Sequence, residues 1–214
     1  MNKYVLIVIV AALSAVPCTA RENSNSLFVG AEASAGSTWA YGTLPQYYSS
    51  DPALNASFGL TAGYGFSDSV MFIAGAGYSR KTMKLFYSDG KNSGTYSITG
   101  QFIQFRGAFR FFPIHRAYIE PGVFYGFRTG GASYSVSGYL DKTDAKYPGR
   151  EMNNDYGISF GAGYVYPFGD RVSADLGVRL MYGFSELYRD NSGFKLRSVS
   201  TIFNAGIMYR FPMQ

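Results

Sequence analysis

Cysteine is nearly missing from this chain, with one residue in 214, and histidine and tryptophan also occur once each. The lone cysteine, Cys18, falls in an amino-terminal segment that reads as a removable leader, so the remaining chain has no disulfide to lean on. A single histidine, His115, leaves little for zinc, which wants several His or Cys ligands, or for general-base catalysis at neutral pH. No cofactor is expected. Charged residues are only 15% of the chain, and no Lys/Arg block of the nucleic-acid-binding kind occurs. After the leader, no stretch approaches the roughly 20 apolar residues of a spanning helix.

The leader reads clearly. Lys3 precedes an apolar run from Tyr4 to Val16, and Cys18-Thr19-Ala20 supplies a short end with a small residue at the cut. Residues 1–20 are therefore expected to be removed and residues 21–214 to form one domain. A lipoprotein reading would acylate Cys18, but Pro17 stands where a small residue is wanted. Removing Lys3 lowers the formal charge of +5 by one, a modest excess that suits an anionic surface.

What is abundant is glycine, 26 residues, with 19 tyrosines and 18 phenylalanines. That much aromatic content excludes a disordered chain, and so many glycines would weaken helix after helix by about 1 kcal/mol each. Period-two alternation recurs eight times. Phe58, Leu60, Ala62, Tyr64 and Phe66 alternate with Gly59, Thr61, Gly63 and Gly65. The same pattern runs over Asp155 to Tyr166, Arg171 to Phe184 and Ser198 to Phe211, and less tidily over Leu27 to Gly36, Val70 to about Thr82, Ser97 to Phe112 and Ala117 to Thr129. Pro121 lies within the last of these and predicts a bulge or local irregularity. Short turns at Ser67-Asp68-Ser69, Pro113 to Arg116 and Gly169-Asp170 alternate with long polar segments at Ser37 to Asn55, Tyr87 to Thr95, Gly130 to Asn153 and Glu186 to Lys195.

Two closed barrels fit eight such strands: a soluble one with its apolar face inward, and a membrane one with that face outward. The polar face decides between them. It is mostly Gly and Ser, suited to the narrow interior of an eight-stranded barrel and poorly suited to water. Its charges nearly balance, with Arg106, Arg110, Arg128, Arg171 and Arg179 against Glu32, Glu120, Asp155 and Asp175, as a packed polar interior requires. Aromatics gather at both ends of the other face, as at two membrane interfaces. The expected fold is all-β, an eight-stranded antiparallel transmembrane up-and-down β-barrel.

The last strand, Asn204-Ala205-Gly206-Ile207-Met208-Tyr209-Arg210-Phe211, resembles the carboxy-terminal assembly signal of outer-membrane barrels, with Gly206, Tyr209 and Phe211 at its marked positions. Such chains usually stop at the final Phe, whereas Pro212, Met213 and Gln214 follow here. Over residues 21–214 the chain resembles the small outer-membrane proteins of the OmpX and opacity-protein type. The resemblance implies a bacterial outer-membrane location, periplasmic termini and short turns, long loops outside, the barrel-assembly machinery as a partner, and a monomer in contact with outer-membrane lipid and lipopolysaccharide.

Other chemistry finds little support. Gly75-Ala76-Gly77 and Gly161-Ala162-Gly163 sit within strands with no following helix, so they are not dinucleotide fingerprints. Asn55-Ala56-Ser57 matches a glycosylation sequon by coincidence. Lipid-modifying barrels use His with Ser and an acid, whereas His115 falls in a short turn. The long loops carry Trp39, Tyr41, Tyr47, Tyr48, Tyr87, Tyr134, Tyr139, Tyr147 and Tyr188 among Ser, Gly and Asn, a mixture suited to recognition of a host or surface ligand or simply to solubility. Rim cations, among them Lys81, Lys84, Lys91, Lys142, Lys146, Arg150, Arg189 and Lys195, are candidates for lipopolysaccharide phosphates or ordinary surface charge. The leading expectation is a non-enzymatic barrel with a structural or surface-binding, adhesive role. A narrow pore is the alternative, followed by a lipid-modifying enzyme.

Overall fold

A computed structural model describes residues 25–44, 46–114, 116–130, 132–138, 152–189 and 195–213, and the side chains of Tyr134, Tyr188 and Arg189 are not described. The expected leader with Cys18, together with His115, Tyr139, Lys142, Lys146, Tyr147 and Arg150, lies outside these residues. The strands are β1 (Ser26–Thr43), β2 (Tyr48–Asp51), β3 (Ala53–Ser67), β4 (Val70–Ser88), β5 (Ser93–Ile114), β6 (Ala117–Arg128), β7 (Ser133–Gly138), β8 (Asp155–Pro167), β9 (Val172–Gly183), β10 (Tyr188–Arg189) and β11 (Lys195–Pro212).

Eight of them close a ring in chain order, β1-β3-β4-β5-β6-β8-β9-β11, each antiparallel to its neighbours. The closing ladder joins β1 to β11 from Ser26↔Pro212 to Thr43↔Lys195. β2, β7 and β10 are accessory strands, paired to β4, β5 and β11 at the long-loop end. Glycine allows the ring to be narrow: Gly59 and Gly77 face each other across β3 and β4, and a Cβ on either would stand 2.7 Å from the other's Cα.

Alternation puts the apolar face outside. Leu60, Phe203 and Ile207 are 68%, 65% and 61% exposed, whereas Arg110 and Glu120, buried at 2% and 1%, point inward. That is the residue distribution of a membrane-spanning barrel, in which closure leaves no unpaired edge in hydrocarbon. Aromatic pairs mark both borders of the apolar band. Tyr166–Phe168 and Tyr209–Phe211 meet at steep ring angles near the short turns at 5.4 and 4.6 Å, and Tyr125–Phe127 and Tyr182–Phe184 lie toward the long loops at 4.6 and 5.7 Å.

The strands exceed expectation on one side. β6 and β9, with 12 residues each, fit a bilayer, for which about 9–11 tilted residues suffice. β4 and β5 run for 19 and 22 residues and project well beyond it. The loop expected over Tyr87 to Thr95 shrinks to a turn at residues 89–92, and most of the loop expected over Ser37 to Asn55 is strand. The physical reason is an inversion of the alternation. Within the band, β4 turns Phe72, Ala74, Ala76 and Tyr78 outward. Beyond it, the same strand faces Arg80, Thr82 and Lys84 outward and buries Met83 and Leu85. β5 inverts in step, with Ser97, Thr99 and Gln101 outside and Tyr96, Ile98 and Phe102 buried. The projecting wall is thus an ordinary water-facing sheet over an apolar core.

Pro121 keeps its register with β8, opposite Phe160. The irregularity appears on the β5 side, where the ladder carries no pair between Ala108↔Gly122 and Phe111↔Ile119, although both share one register. The expected bulge is instead at the short turn, where the register shifts between Phe111 and Ile114.

The exposed apolar band makes the chain dependent on an amphiphile. The protein is expected to refold only with detergent or lipid, and its gel migration to change on boiling. A monomer that refolds in plain buffer would contradict this arrangement.

Candidate functional site

The barrel interior is layered. Next to the short turns, Phe28, Met71 and Ile73 form an apolar cluster with Phe112 against it. In the middle lies a charged group built from four strands, β1, β5, β6 and β9. Glu120 on β6 is its centre: Arg110 donates to Glu120 Oε2 through Nε and Nη2 at 2.9 and 2.6 Å, Arg179 Nη2 donates to Oε1 at 3.3 Å, and Arg106 Nη1 lies 3.4 Å from Oε1. Glu32 bridges Arg106 and Arg179 from the β1 side at 3.1 and 3.6 Å. Asp175 takes the remaining face of Arg110 at 2.6 Å and accepts the Tyr118 hydroxyl at 2.6 Å. Arg110 also lies 3.7 Å over the Tyr118 ring. Three guanidiniums thus meet three carboxylates, which is how charge survives burial.

A second group stands nearer the long loops. Lys81 Nζ donates to Asp155 Oδ2 at 2.7 Å, and the hydroxyls of Ser185 and Ser198 donate to the same carboxylate at 3.1 Å. Phe124 lies under Lys81 at 4.8 Å from Nζ. Between the two groups a cavity of about 40 Å³ is lined by Glu32, Lys81, Arg106 and Arg179 with Asn55 and Ser79. It has the volume of a few water molecules.

Above this, the interior is apolar again. Met83, Leu85, Tyr96, Ile98, Phe102 and Leu196 pack with Met152 and Leu187, which reach in from the long-loop segments. The backbone N–H of Asn153 donates to Leu187 O at 2.9 Å and its side-chain amide to Glu186 O at 2.8 Å, tying those two segments together across the mouth. The polar interior is therefore covered by apolar side chains at both ends.

Of the expected interior charges, Glu32, Arg106, Arg110, Glu120, Asp155, Asp175 and Arg179 all face inward and are paired. Three positions need correction. Lys81, expected at the outer rim, is 3% exposed and holds Asp155, because it shares its face with Gly75, Gly77 and Ser79. Arg128 forms no ion pair with a described carboxylate, since it sits at the top of the shortest wall, above the charged group. Arg171 lies outside the barrel ladder, exposed at a short turn, and donates to the Tyr209 hydroxyl. Tyr118 belongs to the network and was not legible as such.

The aromatic candidates are dispersed. Trp39 and Tyr41 are on β1 rather than in a loop, and Tyr41 lies 4.9 Å from Tyr182 while its hydroxyl donates to Gly183 O. Tyr47, Tyr48 and Tyr87 gather at the outer end, with Tyr87 at 6.4 and 5.2 Å from the other two rings. Tyr47 is half exposed with a φ of 75°, a conformation costly for a bulky residue. Tyr134 lies on β7 and Tyr188 on β10.

Beside the tyrosine cluster, Asp89 organises the β4–β5 turn. Its Oδ1 accepts the backbone N–H of Lys91 and Asn92 at 2.9 and 2.7 Å, and its Oδ2 accepts the Tyr87 hydroxyl at 3.0 Å. The two amides hold the Asp89 carboxyl below the usual aspartate range, and the carboxylate in turn pushes the Tyr87 hydroxyl up. Burial raises Tyr48.

No family model and no curated protein sequence matches the chain. Among solved structures it is similar to the outer membrane protein OprG from Pseudomonas aeruginosa, at 11% identity and a TM-score of 0.47 over 89% of this chain and 97% of that one. It is also similar to Ail, the attachment invasion locus protein of Yersinia pestis in complex with the heparin analogue sucrose octasulfate, at 12% identity and a TM-score of 0.43 over 88% and 99%. Neisserial surface protein A gives 18% and 0.43 over 86% and 97%. Likenesses this distant carry no functional inference, and the barrel assignment rests on the closed ladder and the outward apolar band.

Two outcomes follow from the geometry. Glu120→Gln leaves three guanidiniums short of an anion and is expected to cost about 3–5 kcal/mol in reversible urea unfolding from detergent micelles, whereas Arg128→Gln orphans no carboxylate and should cost under about 1 kcal/mol. Equal costs would show that the interior charges are solvated. The Asp89 clamp is in place above the ordinary aspartate value of about 3.9 and is lost as the pH falls through its lower folded value. Protection of the Lys91 and Asn92 amides, taken relative to their intrinsic exchange rate at each pH, should therefore fall on acidification in the native protein and already be low at neutral pH in Asp89→Ala. Protection that ignores both changes would place the turn's stability elsewhere.

Proposed function

We propose that the protein is a non-enzymatic, monomeric barrel of the bacterial outer membrane that acts at its long-loop end as a structural or adhesive surface protein. The termini and short turns then face the periplasm, and the β4–β5 wall stands outside among lipopolysaccharide. β11, with Gly206, Tyr209 and Phe211, is the segment offered to the barrel-assembly machinery. One observation carries the reading: the interior is filled, with a neutral charged group between two apolar clusters and a cavity far too small for solute passage. With the lipid face committed to hydrocarbon and the interior to its own pairs, recognition chemistry is left to the outer wall and its tip. The non-enzymatic reading draws on the single histidine of the chain.

Planar-bilayer recordings and attachment assays test this together. The refolded protein should give no unitary conductance, and cells displaying it should bind host cells or matrix proteins more than cells without it. Replacing exposed Tyr47 and Phe86 with Ser should lower that attachment and leave the barrel intact. Stable unitary currents would favour the pore, and attachment no greater than background would leave a purely structural role.

A further inference from the structure

The inversion of alternation on β4 and β5 fixes where the apolar band ends, and the side chains just beyond it have a defined neighbour. Tyr78 on β4 and Ile103 on β5 face each other as the last apolar rung. The next outward rungs are Arg80↔Gln101, Thr82↔Thr99 and Lys84↔Ser97. These positions have the same outward direction as the lipid-facing rows. Whatever layer lies above the hydrocarbon must therefore abut them. In a membrane that layer is the lipid headgroup region.

We propose that this face, Arg80, Thr82 and Lys84 on β4 with Ser97, Thr99 and Gln101 on β5, is a docking surface for the phosphate-bearing headgroup of an outer-leaflet glycolipid. The inference rests on the membrane reading above and adds a site to it. Three features select an anionic, sugar-bearing headgroup. Arg80 and Lys84 make no ion pair or side-chain hydrogen bond with a described residue, so their donors are free. They lie about 13 Å apart along the strand at roughly 3.3 Å per residue, far enough to engage separate phosphates on one headgroup. The surface between and beside them is hydroxyl and amide: Thr82 and Thr99 share a hydrogen bond at 3.0 Å, and Ser133, Ser135 and Ser137 on β7 continue the row past β5.

The cations are also one-sided. Lys195 and Arg197 face outward on β11, two strands beyond β3, and among the described residues the rim over β6, β8 and β9 offers Asn153, Asn154 and Glu186 instead, with Arg128 at the top of β6 turned inward. One carboxylate enters the face: Asp51 on β2 stands opposite Lys84 in register, without a salt bridge to it. Arg80, with no acid beside it and a fork suited to phosphate, is the principal anchor.

Fluorescent lipopolysaccharide titrated onto the full mature chain in phosphatidylcholine nanodiscs tests the site. The Arg80→Gln/Lys84→Gln double variant is expected to weaken binding about tenfold or more, because two charge-assisted contacts are lost. Arg80→Lys/Lys84→Arg, which keeps both charges, should retain most of it. Lys91→Gln, a loss of charge at the turn tip, should change it less than about twofold at physiological salt. Dephosphorylated lipopolysaccharide should bind the native protein as weakly as the double variant binds the phosphorylated form. The proposal is overturned if the double variant binds like the native protein, if Lys91→Gln weakens binding equally, or if dephosphorylation has no effect. Displacement of the glycolipid by an equal concentration of inorganic phosphate would also overturn it, since the occupant would then be a free anion. Boiling-dependent gel migration confirms that each variant is folded. A folded barrel that ignores phosphate loses only this site, whereas a chain that needs no lipid at all loses the membrane reading itself.

Discussion

Hydrocarbon offers no hydrogen-bond partner, and the rest of the structure answers to that constraint. A chain that turns one face of its strands to lipid must close its sheet, and here the closure is the ladder between β1 and β11. Closing with only eight strands leaves a narrow bore, so the inward positions of β3 are Asn55, Ser57, Gly59, Thr61 and Gly63 rather than larger side chains. Long side chains can then enter only where neighbours stay small. Arg110 is the largest fully buried side chain, and it is tolerated because Glu120 and Asp175 both reach it. The interior charges are thus a consequence of closure. A polar wall facing a sealed bore must find its partners within the bore, and a neutral cluster of three cations and three anions satisfies that demand.

The same constraint explains why the strands change character along their length. In hydrocarbon a strand gains by placing Phe72, Ala74, Ala76 and Tyr78 outward, whereas in water it gains by hiding Met83 and Leu85 and showing Thr82 and Lys84. Neither the backbone nor the direction of the side chains alters at the boundary. Only the solvent does. Each fully buried Leu, Ile or Met in the upper cluster contributes about 1.5–3 kcal/mol, which is ample to hold a hairpin that would otherwise be marginal outside the bilayer. The wall is therefore stabilised by two hydrophobic drives of opposite sense, lipid outside below and a packed core inside above.

Much of this was legible where the chemistry of the two faces stays constant. The eight strands, the order of their connections, the outward apolar band and seven of the nine charges assigned to the interior follow from period-two alternation with Gly and Ser opposite Phe, Leu and Ala. What was not legible begins where the phase inverts. Residues 83–88 and 93–96 keep the period of two but exchange the chemistry of the faces, so a search for continued apolar-out alternation ends the strands early and reads a loop over Tyr87 to Thr95. Lys81 suffers from the same boundary. As a cation near a strand end it resembles a rim residue, and only counting the alternation through Gly75, Gly77 and Ser79 places it inside. Arg128 fails for a different reason, since a side chain that faces inward from the top of the short β6 wall lies above the carboxylates of the charged group. The aromatic loop candidates were assigned by composition alone, and composition does not separate Trp39 and Tyr41, which lie on β1, from Tyr47 at the tip.

The unequal height of the walls has a consequence for what the molecule can meet. β4 and β5 stand tall while β6 and β9 stop near the bilayer border, so the upper mouth is an oblique cut rather than a ring. An oblique mouth exposes the inner face of the tall wall, and Met83, Leu85, Tyr96 and Ile98 would face water there. Met152 and Leu187, carried by the segments that leave and enter the short wall, lie over exactly those side chains and are themselves 2% and 0% exposed. The cover is thus required by the inversion. Among the described residues the exposed chemistry is sorted by position: hydroxyls and cations on the outer side of the tall wall, tyrosines at its tip, and amides over the short wall. A partner approaching from the membrane plane meets the first, and a partner approaching from solution meets the second.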